Sequence, residues 1–258
     1  MITDIGRSVG DFSFYKEVPK KTVWATVAYL TLLGGFFSLA VTLAVHQNVR
    51  PRILMAAEWA AATMPTLTLA EGKLSSTAPG PMDIRHPDVP QAGLMVDTQR
   101  TEAVTPAEMS QKKLIAYLTA DSVYVLTADR LEAYPLAQTK GKEQLVIDGA
   151  FYRQMAGILI KVLYPISFFT SWLTFLIWKH VAAGIYTLVG LLVNAVVDGG
   201  HEPGALYRMA VYAQTPVIVL QTAALFLPKP IPLFPVLALL VVTAYLWQAI
   251  RHAEPPAA

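Results

Sequence analysis

Hydrophobic residues fall into two long blocks along this chain, separated by a more polar stretch at residues 46–152. The first block, residues 22–45, holds no charged side chain. At ~1.5 Å of rise per helical residue, a run of this length crosses a ~30 Å hydrocarbon core. The pattern therefore predicts a transmembrane helix at 22–45, preceded by a short cytoplasmic leader at residues 1–21.

The second block, residues 153–252, is long enough for four further spans and is followed by a tail at 253–258. A tight turn at 178–180 is predicted to separate the first two of these spans. The four predicted spans cover residues 157–178, 181–197, 206–227 and 232–250. The predicted fold class is a membrane protein, an α-helical bundle of five transmembrane helices with a small α+β extracytoplasmic domain inserted between helices 1 and 2.

Basic residues set the predicted orientation, because Lys and Arg collect in the short cytoplasmic segments of membrane proteins. The predicted inside segments hold Arg7, Lys16, Lys20, Lys21, Lys179 and Lys229. The predicted outside segments hold only Arg208 and Arg251. We therefore expect a multi-pass protein of the cytoplasmic (inner) membrane, with its N-terminus in the cytoplasm, residues 46–152 outside it and its C-terminus outside.

Two features near the N-terminus leave alternatives open. The run at 22–45 is longer than the 7–15-residue apolar core of a signal peptide, which favours an uncleaved signal anchor. Cleavage after Ala40, at a small-residue site, is the alternative and would leave four spans. The leader aromatics Phe12, Phe14 and Tyr15 either lie at the membrane interface or belong to a plain basic flank.

The polar stretch at 46–152 has the alternation and turn residues of a small α+β domain. Glu71-Gly72 predicts a turn between two short strands. Thr105 followed by Pro106 predicts the start of a helix. Further strands are predicted at 93–98, 114–118, 122–126 and 130–136, and the proline-rich residues 76–91 are predicted to form an extended loop.

Composition agrees with a chain dissolved in a lipid bilayer. It is 54% hydrophobic and only 15% charged, against about 25% charged residues in ordinary globular domains. A net charge of +2 without a basic, aromatic-rich patch gives no support for nucleic-acid binding. The absence of cysteine excludes disulfides, thiolate catalysis and cysteine-ligated metals.

No motif in the sequence predicts a catalytic, cofactor or metal site. The segment Gly200–Pro203 begins like a helical zinc motif but lacks its second histidine. The candidate residues are instead three amides inside predicted spans, Asn194, Gln214 and Gln221. They are predicted either to line a polar path for a solute or to form hydrogen bonds between helices, each typically under ~2 kcal/mol.

Several short segments give the chain a resemblance to a known family. They are Phe14-Tyr15-Lys16, Leu67–Leu74, Val96-Asp97-Thr98 and the apolar C-terminal block. Together they resemble an uncharacterised bacterial membrane-protein family, domain of unknown function 1189. Residues 207–216 also look like the corresponding span of Yip-type membrane proteins. The resemblance implies no catalytic residues, and some members accompany maltodextrin-utilisation genes, which implies a link to sugar uptake.

These observations favour a non-enzymatic integral membrane protein whose exported domain binds or positions a protein partner at the outer face of the membrane. The alternative is a small transporter or permease accessory protein, with the three amides lining a path. A membrane-embedded enzyme is the least supported reading. We expect no cofactor, and the lipid bilayer and one protein as partners.

Overall fold

The structure is a computed structural model that describes residues 1–127, 130–141 and 143–253. The predicted tail lies outside the described residues beyond Ala253. Helices α1–α8 span Ile2–Gly10, Val23–Asn48, Arg50–Thr63, Pro106–Gln111, Gly149–Val196, Pro203–Ala213, Thr215–Ala224 and Phe234–His252. Strands β1–β8 span Leu67–Ala70, Lys73–Ser76, Met82–Arg85, Gly93–Val96, Leu114–Leu118, Ser122–Thr127, Arg130–Pro135 and Leu145–Ile147.

The chain divides into two compact units. The helical unit comprises residues 1–49 and 162–258, and the α+β unit comprises residues 50–161. Within the described part of the chain, three helical runs are long and apolar enough to cross a membrane: Val23–Thr63, Gly149–Val196 and Phe234–His252. Length and composition thus indicate a membrane protein that is mostly helical and has two small sheets.

The first predicted span is a helix, as expected. Helix α2 begins after Thr22, whose hydroxyl accepts a hydrogen bond from the backbone N–H of Ala25 at 3.1 Å. Such a cap satisfies one of the donors that the first helical turn leaves free. Large apolar residues of α2, including Phe36, Leu39 and Leu43, are exposed, which suits a helix surrounded by lipid.

The predicted turn at 178–180 is wrong. Helix α5 continues without a break for 48 residues, so the predicted spans 157–178 and 181–197 are one helix. At ~1.5 Å per residue it is ~72 Å long, more than twice the hydrocarbon thickness. A lysine and a histidine are ordinary helical residues, and nothing at 178–180 breaks the hydrogen-bond ladder.

The predicted span at 206–227 is also not a single helix. Helix α6 ends at Ala213 and α7 begins at Thr215, with Gln214 between them. Pro216 lies in the first turn of α7, where its missing N–H removes no helical hydrogen bond. The last predicted span, 232–250, corresponds closely to α8.

The leader is folded into the core of the helical unit. After α1 it forms two short 3₁₀-helices, Phe12–Lys16 and Val18–Lys20. Phe14 and Tyr15 are fully buried and pack with residues of α6 and α8, which disfavours the interfacial alternative for these two rings. Burial of these large rings, at roughly 25 cal/mol per Å² of apolar area, fixes the leader in place.

The end of α8 lies beside the leader. The His252 and Phe12 rings are 6.0 Å apart, and the Tyr245 hydroxyl donates to the Val9 carbonyl at 2.7 Å. Because a bilayer core is ~30 Å thick, groups in contact cannot lie on its opposite sides. The sequence predicts the two chain ends on opposite sides of the membrane, whereas these contacts favour a single side for both.

The α+β unit contains a five-stranded sheet in the order β3-β4-β5-β6-β7 and a three-stranded sheet in the order β2-β1-β8. Val96 and Leu118 face a core shared with Leu67 of the second sheet, whereas Met95 and Tyr117 face a core on the α4 side. This alternation is the period of two that a strand imposes. Strands β4 and β5 are parallel and are connected through α4.

Most predicted elements of the α+β unit are present. Glu71 and Gly72, with φ of 51° and 78°, form the turn between β1 and β2. Thr105 caps α4 by accepting a hydrogen bond from the Glu108 N–H at 3.3 Å. The predicted loop at 76–91 contains β3, which pairs antiparallel with β4 and was hidden by the surrounding prolines.

Candidate functional site

Lys179 is a buried cation in the helical unit, with 7% of its surface exposed. Its Nζ donates to Oε1 of Gln221 at 2.9 Å and lies 5.7 Å from the ring centroid of Phe175. The hydrogen bond joins α5 to α7. Lys179 is not among the site residues predicted from the sequence, because the segment 178–180 is predicted to be a turn. The uninterrupted apolar run on both sides of Lys179 is the signal that indicates a helical position.

Gln214 reaches the same part of α5 from the break between α6 and α7. Its Nε2 donates to the carbonyls of Lys179 and Ala210, both at 3.4 Å. Its Oε1 is buried and has no hydrogen-bond partner among the described residues. Two of the three candidate amides, Gln214 and Gln221, therefore meet at Lys179.

Asn194 performs a different structural task near the end of α5. Its Nδ2 donates to the His201 carbonyl at 3.3 Å, and its Oδ1 accepts from the His201 N–H at 3.2 Å. A Cβ at Gly199 would lie 2.5 Å from Asn194 Oδ1 and 2.7 Å from Ile250 Cγ2, so any side chain there would displace the Asn194 amide. The pair of bonds fixes the loop between α5 and α6, and neither bond involves Gln214 or Gln221.

A buried hydroxyl cluster connects the leader to α2 and α7. The Tyr29 hydroxyl lies 3.0 Å from Ser8 Oγ and 2.7 Å from Thr215 Oγ1. The Tyr15 hydroxyl donates to the Ser8 carbonyl at 3.1 Å. Sequence reasoning could not find this cluster, because its members are far apart in the chain and each is unremarkable alone.

An open cavity of about 450 Å³ runs along α5 beside Lys179. We call it the Lys179 groove. Most of its surface is apolar, and Lys179 and Gln221 contribute polar groups to it. Its lining residues from α2 and α5 include Phe37, Val41, Leu163, Ile166, Thr174 and Phe175.

The α+β unit has a separate charged cluster. Arg100 binds Glu108 through two hydrogen bonds of 2.8 Å and also donates to the Tyr117 hydroxyl at 3.1 Å. Lys112 Nζ donates to the same carboxylate at 3.0 Å. The hydrogen bonds from Arg100, with a further contribution from Lys112, lower the pKa of Glu108 to about 2. The cluster fixes the segment before α4.

Among the described residues, no group of three or more His, Asp or Glu side chains is placed to hold a metal ion. The polar groups brought together around Lys179 and Tyr29 are amides, hydroxyls and the Lys179 ammonium group. Their chemistry is hydrogen bonding and attraction of an anion.

Comparison with known protein families gives a match over most of the chain. Residues 4–250 match the family described as protein of unknown function (DUF1189), and the chain belongs to this family. No curated protein and no solved structure matches the chain.

Proposed function

We propose that this member of the DUF1189 family is a non-enzymatic protein of the cytoplasmic membrane whose α+β unit binds a protein partner on the extracytoplasmic side. The observation that carries the proposal is the free edge of the five-stranded sheet. Strand β7 is last in the strand order and pairs, among the described strands, with β6 alone.

The distribution of basic residues supports this orientation. Arg208 Nη2 donates to the Pro19 carbonyl at 2.8 Å, which puts Arg208 on the leader side. Arg251, next to His252, lies at the same end of the unit. These two residues lie on the same side as the leader lysines, so the positive-inside rule favours a cytoplasmic leader. Helix α2 then crosses the membrane outward, the α+β unit lies on the extracytoplasmic side, and α5 crosses the membrane back toward the cytoplasm.

The register of β7 shows which backbone groups are free for a partner. In an antiparallel ladder, alternate residues direct their N–H and C=O groups toward the neighbouring strand. Pro135 pairs opposite Ser122 and has no N–H to give, so it belongs to the outward-directed set. Leu131 and Ala133 belong to that set too. An extended peptide segment can therefore add to the sheet at β7, beside the exposed side chain of Tyr134.

The test is photo-crosslinking in intact cells, with a photoreactive phenylalanine analogue replacing Tyr134 of the full chain. We expect a discrete adduct with one protein. Adding Ala133→Pro removes one outward N–H without breaking the bond ladder to β6, and should abolish the adduct.

Ala133→Val is the matched control, because it keeps the outward N–H and should keep the adduct. A photoreactive group at Glu102, which is exposed in the segment before α4, should not give the same adduct. An adduct that survives Ala133→Pro, or that forms equally from position 102, would exclude binding through this edge.

A second candidate function, a transporter or permease accessory protein, is favoured by one observation. Lys179 and Gln221 line an elongated groove along an apolar helix. On this hypothesis Gln221→Leu lowers uptake of a labelled maltodextrin by cells. Asn194→Leu affects uptake only by altering the structure of the α5–α6 loop. Unchanged uptake in a stable Gln221→Leu protein would exclude this function for that substrate.

A further inference from the structure

Lys179 carries a charge that the rest of the described chain does not neutralise. The hydrogen bond of its Nζ goes to the neutral amide of Gln221, and no ion pair of the described residues includes it. A buried charge without a counter-ion is costly, and the cost is greater in a membrane. The position therefore favours an anion supplied from outside the chain.

The groove beside Lys179 has the shape and chemistry of a site for an alkyl chain. It extends along α5 from Leu163 to Lys179, which is ~24 Å at 1.5 Å per residue. Its walls are mostly apolar, and it is open to the surface near Ile166, whose side chain is exposed. Four hydroxyl side chains also line it, those of Ser167, Thr170, Ser171 and Thr174. The hydroxyls of Ser167 and Ser171 already donate to the carbonyls of Tyr164 and Phe168 in their own helix.

Lys179 lies at a depth that a lipid headgroup can reach. Trp172 Nε1 donates to the Thr31 carbonyl at 3.3 Å, and Phe175 packs against Gly34. Lys179 follows Phe175 by one turn of α5. This turn lies nearer to the N-terminal end of α2, which begins after Thr22. It is thus ~10 Å from that end of the apolar run, and long Lys side chains reach the interface over such distances.

We propose that the Lys179 groove binds one anionic phospholipid of the surrounding bilayer, with the phosphate at Lys179 Nζ and an acyl chain along α5. Charge complementarity selects an anionic over a zwitterionic lipid, and the apolar walls select a lipid over free phosphate. The proposal is independent of a partner at β7.

Native mass spectrometry of the purified full chain tests it, with phosphatidylglycerol and phosphatidylcholine of identical acyl chains as probes. We expect the wild-type protein to retain phosphatidylglycerol at least ~10-fold more strongly than phosphatidylcholine. Lys179→Met should abolish this preference, and Lys179→Arg should keep it. Methionine suits an apolar helix, so Lys179→Met is expected to fold.

Lys161→Met is the matched control, since it makes the same change on the same helix outside the groove. Ser171→Phe, which narrows the groove and keeps the lysine, should weaken retention of both lipids. Equal retention of the two lipids by the wild-type protein, an unchanged preference in Lys179→Met, or the same loss in Lys161→Met would overturn the proposal. The proposal would also be overturned if inorganic phosphate alone competed for the groove as well as phosphatidylglycerol does.

Discussion

At the scale of single residues, the charged groups of this protein do two different things. Glu108 lies in the α+β unit and is neutralised by Arg100 and Lys112. Lys179 lies in the helical unit, and its partner is the neutral Gln221. The paired Glu108 cluster stabilises a local segment, whereas a buried charge without a counter-ion inside a membrane points to a functional site.

The Glu108 cluster predicts a loss of stability in acid. Its folded pKa of about 2 is below the ordinary value of 4.5, so the stabilising contribution is complete above pH 4.5 and is lost as the pH falls toward 2. Glu108→Gln should lower the free energy of unfolding by about 1 kcal/mol at pH 7. The difference from wild type should disappear near pH 2, measured by thermal unfolding at both pH values.

Glu102→Gln is the control, because its carboxylate forms no ion pair with the described residues. It should leave the melting temperature unchanged at both pH values. If Glu108→Gln were neutral at pH 7, the cluster would contribute nothing to stability.

At the scale of elements, α2 and α5 pack closely, and two adjacent glycines of α2, Gly34 and Gly35, differ in whether this contact requires them. A Cβ at Gly34 would lie 2.9 Å from Phe175 Cδ1 and 3.1 Å from Trp172 Cδ1. A Cβ at Gly35 would meet nothing within 4 Å. Small residues allow helices to approach closely in lipid, and here only Gly34 serves that purpose.

We expect Gly34→Leu to separate the two helices and to lower stability by about 1–3 kcal/mol, as overpacking does. Gly35→Leu should have little effect, because its side chain enters open space. Thermal unfolding of the two variants in the same detergent measures the difference. Equal destabilisation by both substitutions would mean that the helix contact is not the cause.

At the scale of the whole molecule, the contacts of the leader determine the proposed topology. The leader packs against α6 and α8, and both Arg208 and the end of α8 lie beside it. We therefore propose that both described chain ends lie on one side of the membrane and the α+β unit on the other.

Single cysteines can test this topology without background, because the chain has none of its own. We expect Glu102→Cys to react with a membrane-impermeant maleimide in intact spheroplasts. Lys16→Cys and His252→Cys, both exposed positions, should react only after the membrane is permeabilised. Labelling of His252→Cys together with Glu102→Cys would contradict the proposed placement of the C-terminus.

Much of the local structure followed from the sequence. The apolar length of α2, the Thr105 cap and the Glu71-Gly72 turn are each encoded within a few neighbouring residues. Strand β3 escaped prediction because its pairing with β4 outweighs the proline-rich surroundings. Of the candidate site, the sequence supplied Gln214 and Gln221 but not the lysine that connects them.

The sequence by itself determined which segments are apolar enough for a membrane and which form a small α+β unit, since both properties are local patterns of side chains. Only the tertiary structure decided that α5 runs through 178–180, that Phe14 and Tyr15 are buried, and that Lys179 meets Gln221. The local free-energy difference between continuing a helix and ending it in a turn is small. Contacts with distant residues therefore decide between the two. Such contacts, here 42 residues apart in the chain, leave no pattern in the nearby sequence.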